Sequence, residues 1–271
     1  MSLRRVPAVV VFVVLVIGFA ANPTSARTNG LPDSMAAIGD SITTAANTGF
    51  FDLGGSNPEH SWSTGDDSTD IVLSHYERLL AANPNIAFHN FNDAAPGARM
   101  ADAAGQARQA VTQGIEYVTF LMGGNDVCTS SRHTMTSVRD FRAQFRAAMD
   151  VLAAGRPDAT VLVTSIPDIQ QLWELYHTDF RAQWVWSTFR ICQSMLSTSN
   201  TDADRDFVRR RNIAFNAVLR DVCAAYTQCR FDGEAVFNYS FTRSDVSPVD
   251  FFHPSRTGQM HLAEVTWAAS Q

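Results

Sequence analysis

Ser41 lies in Gly39-Asp40-Ser41-Ile42-Thr43, directly after a short apolar run, and Asp250 and His253 stand three apart in Asp250-Phe251-Phe252-His253-Pro254. A serine hydroxyl is a weak nucleophile until a base removes its proton, and an imidazole does this best when a carboxylate holds it in one tautomer. An aspartate and a histidine three apart on one loop can meet for that purpose. Two further blocks carry hydrogen-bond donors, Gly123-Gly124-Asn125-Asp126 and Asn92-Asp93-Ala94-Ala95-Pro96-Gly97-Ala98. The Asn125 side-chain amide, the Gly97 N–H and the Ser41 N–H would together hold a developing oxyanion. Taken singly, Ser41 reads as a helix cap, the glycine blocks as turns and His253 as one of seven histidines. Taken together they supply a nucleophile, a base, an orienting carboxylate and three donors, which is what acyl transfer from an ester requires.

The elements that must position these groups follow from the apolar pattern. Met35-Ala36-Ala37-Ile38 predicts a buried strand running into Ser41. Ile71, Val72, His75, Tyr76, Leu79 and Leu80 recur at helical spacing until Asn83-Pro84 stops them. Residues 86 to 91 predict a second strand, followed by a helix from about 98 to 112 and a strand from Tyr117 to Met122. Val138, Phe141, Phe145, Met149 and Leu152 then share one helical face, and Thr160 to Thr164 predicts a further strand. The last helices run from about 203 to 225, with Phe207, Phe215, Val218, Leu219 and Val222 inward, and from about 255 to 269. Such alternation predicts an α/β domain with a parallel sheet and right-handed crossovers, whose ligands sit at the carboxyl ends of the strands. Ser41, Gly97 and Asn125 all fall at such ends. Two stretches exceed what a minimal domain needs, residues 43 to 69 and residues 167 to 202. The second holds Trp173, Tyr176, Phe180, Trp184, Trp186 and Phe189, which read equally as core packing and as the lining of an acyl pocket. Trp62, Trp173 and Tyr176 are the candidate substrate-binding residues.

Composition narrows the chemistry further. All 21 basic residues are arginine, against 27 acidic residues, for a formal charge of −6 over 271 residues. The absence of lysine excludes P-loop nucleotide hydrolysis, protein-kinase chemistry and Schiff-base catalysis. With 45% hydrophobic and 18% charged residues the chain is globular, and its acidic balance argues against a nucleic-acid or anionic-membrane partner held by general electrostatics. No Gly-x-Ser-x-Gly elbow, His-Glu-x-x-His or Gly-x-Gly-x-x-Gly motif occurs. Asp66, Asp67 and Asp70 could ligate calcium but lack EF-hand spacing, so the preferred reading is a solvated helix N-terminus, with no metal or cofactor required. Asn238-Tyr239-Ser240 matches a glycosylation sequon.

Arg4 and Arg5 precede an apolar run from Ala8 to Ala21 and then Thr24-Ser25-Ala26, the layout of a secretory signal peptide over residues 1–26. That run is shorter than the ~20 residues a membrane span needs, so the expectation is an exported protein without stable membrane insertion. Residues 27–271 then form one domain carrying all four cysteines, and an even count in an exported chain reads as two disulfides. Three pairings are possible. The favoured one joins Cys128 with Cys192 and Cys223 with Cys229, provided the helix carrying Cys223 ends near Tyr226, because residues six apart on a continuous helix lie too far apart to bridge.

The four blocks, in this order, resemble the GDSL-type or SGNH serine hydrolases, whose family name lists the Ser, Gly, Asn and His that fall here on Ser41, Gly97, Asn125 and His253. The first block has Ile42 where the family name has leucine, an apolar exchange. His60-Ser61-Trp62-Ser63-Thr64-Gly65-Asp66 and Thr119-Phe120-Leu121-Met122-Gly123-Gly124-Asn125-Asp126-Val127-Cys128 are similar to the phospholipase B branch, in which a cysteine in this place and another after the fourth strand support the pairing of Cys128 with Cys192. The resemblance implies a flavodoxin-like three-layer sandwich around a parallel sheet of about five strands. It also implies a secreted, monomeric carboxylic-ester hydrolase acting on a small-molecule or lipid ester through Ser41, Asp250 and His253, with Ser41, Gly97 and Asn125 as oxyanion hole. Two alternatives stand beside it, a polysaccharide O-acetyl esterase and a catalytically silent envelope or carbohydrate-binding protein.

Overall fold

A computed structural model describes residues 30–49 and 55–271. The expected signal peptide over residues 1–26 lies outside the described residues. Among those described, no helix is long and apolar enough to cross a membrane.

Five strands, β1 (Met35–Gly39), β2 (Asn90–Asn92), β3 (Tyr117–Leu121), β4 (Thr160–Val163) and β5 (Cys229–Phe231), form a sheet in the order β2-β1-β3-β4-β5. Every pairing is parallel, with Ile38 beside Phe120 and Val118 beside Val161. Parallel strands need crossovers, and ten helices are ordered among them: α1 (His75–Ala82), α2 (Ala103–Gln113), α3 (Gly124–Val127), α4 (Val138–Gly155), α5 (Gln170–Tyr176), α6 (Phe180–Thr188), α7 (Gln193–Leu196), α8 (Asp202–Cys223), α9 (Ala235–Asn238) and α10 (Arg256–Ser270). The two faces of the sheet are covered separately, because successive residues of a strand point to opposite sides. Ala36, Ile38, Val118, Phe120, Val161 and Val163 pack with α2, α4 and α8, where Phe141 stacks on Phe215 at 3.9 Å between ring centroids. Met35, Tyr117 and Leu162 face the other way, against Tyr76 and Leu79 of α1 and Trp267 of α10. The result is a three-layer α/β sandwich. Each buried Phe or Leu in it is worth about 1.5–3 kcal/mol of transfer free energy.

Four expectations need correction. Helix α1 starts at His75, not Ile71, because Ser74 caps it and exchanges bonds with Glu77 in a capping box; Ile71 is left 56% exposed. The second strand is Asn90–Asn92, because Pro84–Ile86 forms a 3-10 turn held by the Asn83 side chain. Phe207 is left 38% exposed on α8, while Phe215, Val218, Leu219 and Val222 are buried. The acidic group at 66 to 70 is not a helix N-terminus: Asp67 accepts from Thr69 N–H and Asp70 from Val72 N–H, in turns ahead of the Ser74 cap. Strand β5, three residues long, has no apolar run to announce it.

Helix α8 ends at Cys223, which frees the chain to turn and bring Cys229 to a Cα separation of 5.3 Å, and the two are bonded. Cys128 is bonded to Cys192 across 64 residues, a closure worth about 4 kcal/mol in the chain-entropy model.

Candidate active site

Strand order decides where the site lies. The chain passes from β1 outward to β2, then back across β1 to β3, so the connections leave β1 and β3 in opposite directions and open a crevice at their carboxyl ends. Ser41 follows β1 there. Its turn is built from backbone bonds, with the N–H groups of Thr43 and Thr44 both donating to the Asp40 carbonyl at 3.1 Å. Gly39 is required because a Cβ would stand 2.3 Å from Thr43 Oγ1 and 2.9 Å from the Leu121 carbonyl. Gln106 Oε1 accepts from Gly39 N–H at 2.8 Å while its Nε2 donates to the Gly39 carbonyl at 3.0 Å, so one buried amide closes the strand end. On the other side Gln259 Nε2 donates to the Ile42 carbonyl at 2.8 Å.

Asp40, next to the serine, is buried with only the Ile42 N–H on its Oδ1 at 2.9 Å. Burial pushes its carboxyl up from 3.8 to about 6, against the pull of that bond and of the His253 charge. Between those two values the folded protein holds a proton that the unfolded chain has released, so this group makes stability fall as pH rises through the window. Asp40→Asn keeps an oxygen for Ile42 and removes that slope. Its melting temperature relative to the parent is expected to rise from about pH 4 to about pH 6 and then level off. A pH-independent difference would place the ionisation elsewhere.

His253 Nδ1 meets Asp250 Oδ2 at 2.6 Å. The same Asp250 oxygen accepts from Asn47 Nδ2 at 2.8 Å, and Oδ1 accepts the N–H groups of Phe252 and His253 at 2.9 and 3.0 Å. Burial pushes the Asp250 carboxyl up, but the bond and charge of His253, the backbone N–H and Asn47 outweigh it and hold the pKa below the ordinary 3.8. An ionised Asp250 accepts the Nδ1 proton, which leaves Nε2 of His253 as the basic nitrogen. The loop is anchored from outside as well: Trp186 Nε1 donates to the Phe251 carbonyl at 3.1 Å, and Ser247 N–H to the His253 carbonyl at 2.8 Å.

The donor side is a pair of turns tied to each other. Gly97 sits at φ +78°, a conformation that glycine adopts without strain. Asn125 Nδ2 donates to the Ala98 carbonyl at 3.0 Å, using one of its two amide hydrogens. Asp126 Oδ2 accepts Met100 N–H at 2.8 Å and its Oδ1 accepts the Thr136 hydroxyl at 2.6 Å, so this carboxylate joins the Asn125 turn to the Gly97 loop. Among the described residues, the Ser41 N–H, the Gly97 N–H and the Ser41 hydroxyl have no hydrogen-bond partner.

Ser41, Gly97, Asn125, Asp250 and His253 line a single cleft of about 760 Å³, with Asn47, Val249, Phe252 and the turn Phe189 to Cys192. A small apolar cavity of about 70 Å³ adjoins it across Phe252. Its walls include Ile42, Gly124 and Pro254, the chain neighbours of Ser41, Asn125 and His253, together with Ile166, Leu172, Leu175 and Phe241.

The three candidate substrate-binding aromatics lie elsewhere. Trp62 is fully buried with Leu121 and Leu262, its ring edge-on to His75, and its backbone N–H donates to Gln259 of α10. The Trp173 ring is covered by the Arg205 guanidinium at 3.5 Å. The Tyr176 hydroxyl donates to the Arg243 carbonyl at 3.1 Å and its ring packs on Phe251. What reaches the cleft from residues 167 to 202 is Val185, Phe189, Arg190, Ile191 and Cys192. Nor does the acidic trio form a calcium cage. Asp67 and Asp70 group with His60, and Asp66 does not. His60 Nδ1 is bonded to Asp70 at 2.8 Å, and Arg256, which can only donate, takes Nε2 at 2.9 Å, so both ring nitrogens are committed.

Asn47, Gln106 and Gln259 are the site residues that the sequence reading missed. The two glutamines carry a signal, since each sits in an inward stripe of its helix, Gln106 with Ala103, Ala107 and Ala110, and Gln259 with Leu262, Ala263 and Thr266. Asn47 has none.

Residues 37–260 match the GDSL-like Lipase/Acylhydrolase family. Among curated proteins, "Phospholipase B1, membrane-associated" of Mus musculus is 29% identical over 171 residues, covering 52% of this chain and 12% of that protein. The matched region is thus a small part of the relative's length. Among solved structures, a Parabacteroides merdae protein solved as a GDSL-like lipase superimposes with a TM-score of 0.54 at 14% identity, over 89% of this chain and 96% of that one. A Lactobacillus plantarum protein gives a TM-score of 0.51 at 16% identity, over 88% and 96%. At such identities these structures speak to the fold alone.

Proposed function

The chain belongs to the GDSL-like lipase/acylhydrolase family, and from that premise we propose a secreted serine hydrolase of lipid esters working through an acyl-enzyme. The reading is carried by one observation: the 2.6 Å His253–Asp250 bond opens on the same cleft as the unpartnered Ser41 hydroxyl and the donors of Gly97 and Asn125. Ser41 Oγ attacks the ester carbonyl while His253 Nε2 takes its proton. The carbonyl oxygen becomes an oxyanion held by the Ser41 and Gly97 N–H groups and by the second amide hydrogen of Asn125. His253 returns the proton to the departing alcohol, and a water molecule repeats the sequence to release the acid. Asp250 keeps the imidazole in one tautomer and stabilises its charged form.

The donor set sets the size of one expected loss. Asn125→Ala should lower kcat by about a hundred- to a thousand-fold with little change in KM, as removal of one oxyanion donor does elsewhere. Unchanged kcat in a folded variant would remove Asn125 from the mechanism.

For substrate, the apolar cavity behind Ile42 and Phe252 offers the acyl group a place out of water, and the similarity to phospholipase B1 points the same way. We assign residues 27–271 to one monomeric hydrolase domain exported behind the leader; the two disulfides support the export. The test is hydrolysis of p-nitrophenyl esters over a range of acyl lengths by the protein lacking residues 1–26. Rising kcat/KM beyond the acetyl ester supports the lipid reading, and equal or better turnover of acetyl esters would transfer the proposal to a polysaccharide acetyl esterase.

A further inference from the structure

Helix α6 carries large apolar side chains on both its buried and its exposed side. Ala182 and Trp186 form its buried side, as core packing demands, but the opposite side offers Phe180 and Trp184, 77% and 62% exposed and four residues apart. The chain then turns at Phe189, 67% exposed, whose ring meets Trp184 edge-on at 6.4 Å. Three large aromatics are thus presented to solvent within ten residues. Between Phe180 and Arg190 there is no acidic residue, and two arginines flank the aromatics, in a chain whose net charge is −6. Arg181 is paired with Asp179 at 2.9 Å. Arg190 makes no ion pair among the described residues, and it lines the cleft beside Phe189. Arg190 and Cys192 both have left-handed backbones, at φ +54° and +43°, and the Cys192–Cys128 disulfide pins this turn three residues from Asn125.

We propose that the face made by Phe180, Trp184, Phe189 and Arg190 docks on an anionic phospholipid surface and feeds lipid esters from it into the cleft. The inference rests on the lipid-ester reading above and names the physical state in which that substrate is met. Exposed aromatics with arginine at their margin match the boundary between headgroups and acyl chains, where rings bury their apolar bodies and cations meet phosphate. Charge complementarity selects the anionic surface. The chain's own negative charge opposes approach at long range but is screened beyond ~10 Å at moderate salt, so the local arginines and the aromatic insertion decide the outcome. Because Phe189 and Arg190 belong both to this face and to the cleft wall, a lipid can pass from the surface to Ser41 without crossing open water.

The experiment is cosedimentation with vesicles of phosphatidylcholine alone and of equimolar phosphatidylcholine and phosphatidylglycerol, run beside hydrolysis of dissolved p-nitrophenyl butyrate. The parent is expected to bind the anionic vesicles more tightly than the neutral ones. Phe180→Ser with Trp184→Ser, two residues that do not line the cleft, should weaken that binding by about tenfold or more and leave butyrate hydrolysis unchanged. Hydrolysis of the soluble ester without any vesicle binding overturns the docking face and leaves the esterase reading standing. Vesicle binding with no ester hydrolysis strikes the esterase reading instead. A parent that elutes as a dimer, which the double substitution converts to a monomer, would show that a second copy covers this face and would also overturn the proposal.

Discussion

Ser41→Ala is expected to abolish turnover of every ester the protein hydrolyses, with kcat falling by about 10⁴- to 10⁶-fold, the range seen when the nucleophile of a serine triad is removed. The side chain of Ser41 makes no hydrogen bond among the described residues, and the turn around it is held by backbone groups and by Gln106 and Gln259. Removing one hydroxyl there leaves no buried partner unsatisfied, so the variant should melt within about 0.5 kcal/mol of the parent. Loss of activity with retained stability is therefore a chemical result and not a folding one. Rapid-mixing kinetics supply a second readout, since the burst of p-nitrophenol from acyl-enzyme formation should vanish in the variant. A variant that kept more than about a hundredth of the parent's kcat would assign the nucleophile elsewhere.

The second large effect concerns Asp250. Both oxygens of this carboxylate act only as acceptors: Oδ2 receives His253 Nδ1 and Asn47, and Oδ1 receives two backbone N–H groups. In Asp250→Asn one position must carry an NH₂ group, and either orientation sets that donor against donors. If the amide nitrogen faces His253, the imidazole must move its proton to Nε2, the nitrogen that should accept from Ser41. We expect kcat to fall by about 10⁴-fold with KM nearly unchanged, as when the carboxylate of a triad is made an amide on other folds. Asn47→Ala, which removes a neighbour of the same oxygen but keeps the carboxylate, should cost far less. If Asp250→Asn lost less than about tenfold in a folded protein, the carboxylate would be an anchor for the loop and not part of the proton relay.

Legibility in the sequence followed the range of the interactions. The start of α1 was readable in principle, because Ser74 and Glu77 have the spacing of a capping box, but the apolar pair Ile71 and Val72 continued the helical period and drew the boundary upstream. Strand β5 was not readable, since Cys229–Phe231 is held by pairing to β4 and has no pattern of its own. Trp62 is a candidate substrate residue in the sequence, yet the structure gives its block a bracing role: Ser61 Oγ donates to the Thr43 carbonyl, the Trp62 backbone N–H to Gln259, and Ser63 meets Thr119. In the aromatic stretch the sequence correctly marked an excess of rings. Which of them are core and which are exposed depends on the faces of two short helices, and those are too short to show a period.

From the sequence alone came the reacting groups, their order along the chain, the alternation of strands and helices, and the placing of Ser41, Gly97 and Asn125 at strand ends. These are local properties: an Asp and a His three apart share one loop whatever surrounds them, and a buried strand declares itself by its apolar run. Only the tertiary structure decided that Asn47 completes the Asp250 cage from 203 residues away, that two glutamines close the serine turn, and that Phe189 and Arg190, not Trp62, Trp173 or Tyr176, form the cleft wall. Each of those facts depends on which distant surfaces the core brings into contact; the helical stripes of Gln106 and Gln259 show that they face inward, but what they meet there is set by packing.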